Sequence, residues 1–387
     1  MFILERIIGV GIYSLLLFVF CLLIVGKSIK KIKLLLVIYS IIISILAFYF
    51  IPNSSADLYR IYGMIDKFKN YSFDGLLHKY VIDSTYGYPY VLYWGISQTG
   101  IPQLLPFFTS LLCYNCIFYI IYKTAERYNI SSKNIAIALF FFMSLGSYIF
   151  VISNIRTMLG ISLMCFCFFR ESIEKKFRLF HIPLYVIAAL IHQYCAVLLV
   201  IRLMIQFFAF KGNVVHKFLF LCFLGFFLFF IINNFPDYIS GIIEKAEVYL
   251  TGESYSYFWD YFIAILTFLI FINVFVKSKK ICKDKLIEGN AFRLYLLCGI
   301  LLSLLFCYEF SIFHRTVIYI LPIIATPFIM ALLQKKDESL NYNNTQMSKI
   351  ISNNKLNFNF VLILLSFIIL LLSCMRGSLS SLKFFVL

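Results

Sequence analysis

The chain has 387 residues, of which 62% are hydrophobic and only 13% are charged, and its mean hydropathy is +0.92. Soluble domains carry roughly 25% charged residues, so this composition excludes a soluble globular protein. Long apolar runs recur along the chain, and no linker is long enough to separate a soluble domain from them. The sequence therefore predicts an all-α, polytopic integral membrane protein with a single transmembrane domain over residues 1–387.

The net charge of +16 is distributed in short basic clusters between the apolar runs. This distribution is typical of cytoplasmic loops in membrane proteins. The chain has no continuous basic face of the kind that binds nucleic acid, so no nucleic-acid partner is expected. The first cluster, residues 26–33 (GKSIKKIK), is predicted to be cytoplasmic, and it sets the orientation of the segments that follow.

Alternation of apolar and basic segments predicts about 12 membrane crossings. In chain order the predicted crossings are 7–25, 32–51, 104–122, 135–152, 158–169, two within 182–210, 218–232, 261–276, 292–307, 316–333 and 357–373. Two polar and aromatic segments, 52–87 and 233–259, are predicted to be outer loops.

Two segments do not fit a simple crossing. Residues 88–102 are apolar but short, with Pro and Gly at both ends, and we predict a re-entrant or interfacial stretch whose backbone is covered by protein. Residues 182–210 are too long for one ordinary crossing and too short for two full ones. Because both flanks of this segment are basic, we predict a broken hairpin whose tip, near His192, reaches the outer half of the bilayer.

Charged side chains within or at the ends of membrane spans are costly and often functional. Arg156 stands where a helix is predicted to begin on the outside, and it could anchor an anionic group in a cavity open to that side. An ordinary interfacial arginine is the alternative. His192 could act as a general base or donate to a phosphate, while a core histidine with satisfied hydrogen bonds is the alternative.

Further charges are predicted on the same outer side. Arg315 ends a predicted short outer turn, 308–315, which also contains Glu309. Asp57 and Arg60 open the first outer loop, at a spacing that places them near one helical face. A loop-end charge is the alternative for Arg315, and a surface ion pair is the alternative for Asp57 and Arg60.

Together these residues predict an outer site of arginines, one histidine, carboxylates and tyrosines. Arginine binds phosphate or diphosphate bidentately, and tyrosine stacks on sugar rings. The sequence has no Walker loop, Rossmann fingerprint, H-E-x-x-H or D-x-D motif. We therefore expect no cofactor and no metal.

Four stretches carry a resemblance to a known family. They are the first-loop segment DLYRIY (57–62, including Tyr59 and Tyr62), Asn154-Ile155-Arg156, the segment IHQYCA (191–196), and RTVIY (315–319, ending at Tyr319). Their order and rough spacing resemble the EpsG-type and Wzy-type polymerases of bacterial exopolysaccharide, capsule and O-antigen. Two positions depart from the family pattern: Tyr194 stands where the family often has Ser, and Tyr86 stands where an acidic residue is common.

The resemblance implies a GT-C-like membrane glycosyltransferase of the bacterial cytoplasmic membrane, with its active site facing outward. Such an enzyme joins undecaprenyl-diphosphate-linked repeat units and releases undecaprenyl diphosphate. It implies a lipid-linked oligosaccharide substrate and membrane lipid as partners, with a flippase and a chain-length regulator as further partners.

The resemblance also implies roles for individual residues. Arg156 and Arg315 would stabilise the leaving diphosphate, and His192 would be the base, with Asp57 or Glu309 as the alternative. Substrate binding would fall to a wider set: Arg60, Asn154, Tyr59, Tyr62, Glu309 and Tyr319.

Three other functions are compatible with the sequence. An O-antigen-ligase-like transferase uses the same donor with a different acceptor. A flippase or transporter of lipid-linked sugars would need charges along a path through the membrane, whereas here they gather at one face, apart from Arg202. In a structural membrane subunit these charges would merely be interfacial.

Overall fold

The computed structural model describes residues 2–54, 56–82, 88–145, 147–177, 179–209, 258–283, 290–307, 309–345, 358–375 and 382–384. Regular structure in these ranges is entirely helical. The helices are α1 (Phe2–Ile24), α2 (Ile29–Phe48), α3 (Asp57–Phe68), α4 (Phe73–Leu76), the π-helix π1 (Leu77–Ile82), α5 (Tyr88–Ser97), α6 (Leu104–Arg127), α7 (Ser132–Ser144), α8 (Ser147–Ser153), α9 (Ile155–Ser172), α10 (His181–Ile191), α11 (Gln193–Ala209), α12 (Phe258–Lys283), α13 (Asn290–Leu305), α14 (Phe310–Arg315), π2 (Thr316–Ile320), α15 (Leu321–Thr345) and α16 (Phe358–Met375).

Five stretches in the described ranges are long and apolar enough to cross a membrane: Ile7–Ile24, Ile29–Phe48, Leu104–Arg127, Phe258–Cys282 and Ile312–Lys335. Shorter apolar helices are Ser132–Ser144, His181–Ile191, Tyr194–Phe207, Asn290–Leu305 and Asn359–Met375. An all-helical membrane protein is therefore confirmed, whereas the number of crossings stays a prediction. The predicted crossing 218–232 and all but the last two residues of the predicted outer loop 233–259 lie outside the described residues.

Two of the basic segments predicted to be cytoplasmic lie on one face of the bundle. The backbone N–H of Gly26, between α1 and α2, donates to Oγ of Ser132 at 2.9 Å. Next to it, the N–H of Ser131 donates to Oε1 of Gln334 in α15 at 3.0 Å. The basic segments 26–33 and 123–133 therefore share a face with the polar part of α15, as the alternation of spans requires.

The predicted turn 308–315 is wrong over its last six residues, because α14 begins at Phe310 and runs through Arg315 into π2. Phe313 explains the difference: its ring is buried against Tyr261 and Phe268 of α12, with centroids 5.6 and 5.7 Å away. Burial of this aromatic residue favours a helix where the polar residues suggested a turn. Arg315 consequently belongs to a continuous helical segment.

Two further predicted segments have internal structure that the sequence did not indicate, while their positions relative to the membrane stay predictions. The predicted single crossing 135–152 is divided between α7 and α8, at a Ser-Leu-Gly-Ser sequence whose Gly and Ser residues are weak helix formers. The described part of the predicted outer loop 52–87 is largely helical, since it forms α3, α4 and π1. In α3 a buried apolar stripe, which includes Leu58, Ile61 and Ile65, packs this segment onto the bundle.

The break predicted at His192 is confirmed. This residue lies between α10 and α11 with extended backbone angles, φ −149° and ψ 125°. The chain reverses here, because His181 near the start of α10 and Arg202 in α11 both approach the carboxylate of Glu171. His192 is thus at one end of the hairpin formed by α10 and α11, and Glu171 is at the other.

Arg202 stands deep in an apolar run, where a charge is costly without a partner, and Glu171 is its partner. Its Oε2 accepts hydrogen bonds from Nε and Nη2 of Arg202, at 3.0 and 2.8 Å, and from Nε2 of Gln206, at 2.9 Å. The Arg202 guanidinium also lies over the ring of Tyr185, 4.6 Å from its centroid. Both charged side chains are almost fully buried, so this ion pair ties α9, α10 and α11 together at the base of the hairpin.

Close packing of the hairpin on α9 depends on Gly160. A Cβ at this position would lie 2.5 Å from Sγ of Cys195 in α11 and 3.2 Å from the carbonyl oxygen of Ala188 in α10. Only the absence of a side chain allows both arms of the hairpin to approach the α9 backbone.

The stretch predicted to be re-entrant contains α5, a helix of ten residues. At 1.5 Å per residue it is about 15 Å long, roughly half of what a membrane crossing needs. It packs against α3, α6 and α10. A re-entrant or interfacial position stays a prediction.

Candidate functional site

A cavity of about 250 Å³ lies where α3, the start of α9, the hairpin tip and the end of α14 meet. Six of the residues predicted from the sequence line it: Asp57, Arg60, Asn154, Arg156, His192 and Arg315. Ile61, Ile155 and Thr157 complete the wall. Residues from four separate parts of the chain therefore converge on one polar cavity.

The α3 wall carries the cavity's carboxylate. Asp57 is the first residue of α3, where the helix dipole favours a negative charge. Arg60, one turn later, donates from Nη2 to Oδ1 of Asp57. The surface ion pair considered from the sequence is therefore present, and both members also line the cavity. A second cavity of about 90 Å³, lined by the same two residues with Ile61, Met64, Tyr93 and Arg156, adjoins it.

The opposite wall is the first turn of α9. Asn154 precedes this helix, and Arg156 and Thr157 follow within its first three residues. The amide nitrogen of Asn154 donates to the buried hydroxyl of Tyr319 in π2 at 2.8 Å, which fixes the helix start against π2. The first N–H groups of a helix have no partner within it, and the helix dipole attracts anions to this end.

His192 enters the cavity from the hairpin tip. Its backbone N–H donates to the carbonyl oxygen of Ala188, at 3.2 Å, and closes α10. Its ring nitrogen Nδ1 accepts a hydrogen bond from the backbone N–H of Tyr194 at 3.2 Å. A neutral imidazole that accepts at Nδ1 carries its proton on Nε2, so this hydrogen bond selects the tautomer.

Arg315 reaches the cavity from the junction of α14 and π2. The next residue, Thr316, shares a 2.7 Å hydrogen bond between its hydroxyl and that of Tyr194. This contact joins the hairpin tip to the helix that carries Arg315. Single π-helical turns within α-helical segments are frequent at functional sites.

The cavity has an excess of positive charge. Three guanidinium groups line it, from Arg60, Arg156 and Arg315, against the single carboxylate of Asp57. Within the described ranges no group of three or more His, Cys, Asp or Glu residues is placed to hold a metal ion. The arrangement is suited to bind an anion through guanidinium and backbone N–H donors.

Four predicted site residues do not line this cavity. Tyr59 projects from α3 with 54% of its surface exposed, and Tyr62 packs partly buried against the core. Glu309 is buried before α14, and Tyr319 is buried behind Asn154. Of these, Tyr319 contacts a cavity residue directly and can influence the cavity through Asn154.

The sequence did not predict the positions of Thr157 and Thr316 at this site, or the contact that Tyr194 makes. Thr157 directly follows Arg156, so its position in the first turn of a helix was a signal for its proximity to an anion site. No sequence signal joins Tyr194 to Thr316, because the two are 122 residues apart in the chain.

The chain was compared with protein families, curated proteins and solved structures. A family model described as "EpsG family" matches residues 59–343, which is more than half of the chain. The matched range contains all the cavity-lining residues except Asp57. No curated protein and no solved structure matches the chain.

Proposed function

Since this chain belongs to the EpsG family, we propose that it is a polysaccharide polymerase that joins undecaprenyl-diphosphate-linked repeat units on the outer face of the bacterial cytoplasmic membrane. Family membership indicates a polymerase-like role in polysaccharide biosynthesis. The donor, the membrane face and the residue roles below are our proposal. A flippase and a chain-length regulator would be its partners.

The observation that carries the proposal is the convergence of Arg60, Arg156 and Arg315 on one cavity at the start of α9. A diphosphate is a compact, strongly anionic group that accepts bidentate hydrogen bonds from guanidinium. A cavity of about 250 Å³ is at the small end for ligand sites. It suits the diphosphate and the adjoining sugar carbon, while the rest of the glycan would lie outside.

The direction of α9 supports an outward position for the cavity. This helix begins at the cavity and ends near Glu171, where the basic segment 170–178 starts. Basic segments are cytoplasmic by the positive-inside rule, so the cavity would be at the opposite side of the membrane. About 12 crossings and a GT-C-like arrangement remain part of this proposal.

In the proposed reaction an acceptor hydroxyl attacks the anomeric carbon of the donor. The new bond joins this carbon to the acceptor oxygen, and the bond from the carbon to the diphosphate oxygen breaks. Negative charge develops on the leaving diphosphate, and Arg156, Arg315 and the first N–H groups of α9 stabilise it. The acceptor proton passes to a base in the cavity.

The hydrogen bond from Tyr194 favours a donor role for His192. Because Nδ1 is occupied as an acceptor, Nε2 bears the hydrogen, and in this proposal it donates to the leaving group. Asp57 is then the base, and Arg60 orients its carboxylate through their ion pair. In this assignment His192 is a donor, whereas the sequence made it the first candidate for the base.

Turnover of a purified lipid-diphosphate-linked repeat unit by the full-length protein tests these roles, with products resolved as a ladder of longer glycans. His192→Gln keeps an N–H donor near the position of Nε2 but cannot accept a proton, so we expect it to retain activity within about tenfold. His192→Leu should lose roughly 10²–10³-fold, as for loss of an oxyanion donor. Equal inactivity of both variants would make His192 the base.

Asp57→Asn removes the proposed base and should reduce turnover by roughly 10²–10⁴-fold. It also breaks the ion pair, so Arg60→Gln, which breaks the pair and keeps the carboxylate, is its matched control and should retain more activity. Tyr59→Phe, on the exposed face of α3, should behave as wild type. Full activity of Asp57→Asn in monodisperse protein would refute the role of Asp57 as the base.

The same turnover assay distinguishes the alternative function. A single transfer to a different acceptor would identify a ligase instead.

A further inference from the structure

A larger cavity, distinct from the two at the start of α9, lies among α2, α6, α9 and α10 and has a volume of about 420 Å³. Most of its wall is apolar, from Leu36, Leu112, Leu163, Phe166 and Leu184 among others. Val37 and Leu112 in this wall are also 41% and 45% exposed on the outside of the bundle. The cavity is therefore an open groove on the membrane-facing surface.

One end of the groove is polar and basic. Lys33, in the first part of α2, lines it together with Tyr122 of α6. The ammonium groups of Lys33 and Lys123 lie over the ring of Tyr122, at 5.5 and 5.1 Å from its centroid. Two carboxylates are near this end: Glu126 forms an ion pair with Lys123, and Glu174 accepts from the hydroxyl of Tyr119 and pairs with Arg170. Lys33 thus supplies a cation at the mouth of an apolar groove.

The length of the groove corresponds to one leaflet. Along α6 it extends from Leu112 to Tyr122, which is about 15 Å at 1.5 Å per residue. The hydrocarbon core of a bilayer is about 30 Å thick, so each leaflet contributes about 15 Å. The groove begins at the basic segment 26–33 and ends near the bilayer midplane if that segment lies at the membrane surface.

We propose that this groove binds an anionic phospholipid of the leaflet next to the basic segments, with an acyl chain along the apolar wall and the headgroup phosphate at Lys33. Charge selects the lipid, because an acyl chain gains little hydrophobic free energy on leaving other lipids. Basic pockets between membrane helices on the cytoplasmic side favour anionic headgroups. The site is separate from the polar cavity, because the groove contacts α9 at Leu163 and Phe166, whereas the polar cavity lies at the start of this helix.

Native mass spectrometry of the full-length, delipidated protein tests this, with titration by phosphatidylglycerol or by phosphatidylcholine of the same acyl chains. Wild type should bind its first phosphatidylglycerol about fivefold more tightly than phosphatidylcholine, a factor expected for one lysine near a lipid phosphate. Lys33→Gln should abolish this preference. Leu112→Trp, which fills the groove from an exposed position, should weaken the binding of both lipids.

Lys30→Gln is the matched control, because Lys30 belongs to the same basic segment but does not line the groove. An equal loss of preference in Lys30→Gln and Lys33→Gln would show a diffuse surface charge and overturn the proposal. Unchanged preference in Lys33→Gln would overturn it as well. A further titration uses polyprenyl diphosphate. The proposal is wrong if polyprenyl diphosphate binds more tightly than phosphatidylglycerol and if Leu112→Trp, but not Lys33→Gln, weakens its binding. In that case the groove holds the tail of the substrate.

Discussion

Removal of Arg202 should destabilise the protein strongly, because it leaves the carboxylate of Glu171 buried without its main partner. The Glu171 side chain is 4% exposed and that of Arg202 is 10% exposed. In Arg202→Met, Oε2 of Glu171 would lose two of its three hydrogen bonds and keep only the one from Gln206. Breaking a buried ion pair from one side costs about 3–5 kcal/mol, and we expect a loss in this range.

The same structure predicts that a second substitution restores stability. In Glu171→Gln/Arg202→Met no charge of the pair remains buried, so the double variant should be more stable than Arg202→Met alone by about 2 kcal/mol or more. The matched control is the exposed pair of Asp66 and Lys69, where Asp66→Asn should cost less than about 1 kcal/mol.

The free energy of unfolding in detergent or bicelles is the quantity to measure for these variants, under identical lipid and salt conditions. Where unfolding is irreversible, the temperature that leaves half of the protein monodisperse replaces it. The reasoning fails if Arg202→Met costs no more than Asp66→Asn, or if the double variant is less stable than both single variants. Either result would show that water reaches the base of the hairpin.

Two further substitutions test the packing around the polar cavity. Gly160→Ala should cost about 1–3 kcal/mol through overpacking, and Cys195→Ala in the same chain should recover part of this loss, which the same unfolding assay would detect. Tyr319→Phe removes the hydroxyl that accepts from Asn154, so it should cost about 1 kcal/mol and lower the turnover of lipid-linked repeat units several-fold. Tyr39→Phe is its control, because the buried Tyr39 hydroxyl has no hydrogen-bond partner among the described residues, and it should change neither quantity. A Tyr319→Phe variant with wild-type turnover would separate Tyr319 from the site.

The hairpin formed by α10 and α11 connects a buried ion pair with the polar cavity. Its base is held by the buried Glu171–Arg202 pair, and its tip presents His192 to the polar cavity. The hydroxyl contact between Tyr194 and Thr316 then ties the tip to the helix that carries Arg315. These two contacts lie outside the polar cavity. They help to place His192, just before α11, and Arg315, at the end of α14, in the same cavity.

Several features were determined by the sequence alone. Apolar run length and the positions of lysine and arginine indicated a helical membrane protein, because a backbone in lipid must satisfy its own hydrogen bonds. The length of 182–210 and its basic flanks predicted the break at His192, since the segment fits neither one ordinary crossing nor two full ones. The rule that charged residues within spans are functional selected Arg156, His192 and Arg315 before any contact was known.

Other features depended on tertiary packing, which local pattern does not encode. The segment before Arg315 was predicted to be a turn. It is a helix instead, with Phe313 buried against α12, and this helix orients Arg315. Glu171 could not be recognised as the partner of Arg202, because it stands in sequence beside Arg170 and at the start of a basic segment. The tautomer of His192 and the exclusion of Tyr59 and Glu309 from the cavity wall likewise follow from distances between side chains. The sequence identifies the charged side chains that are costly to place in lipid, whereas only the packed structure shows which of them lie close together.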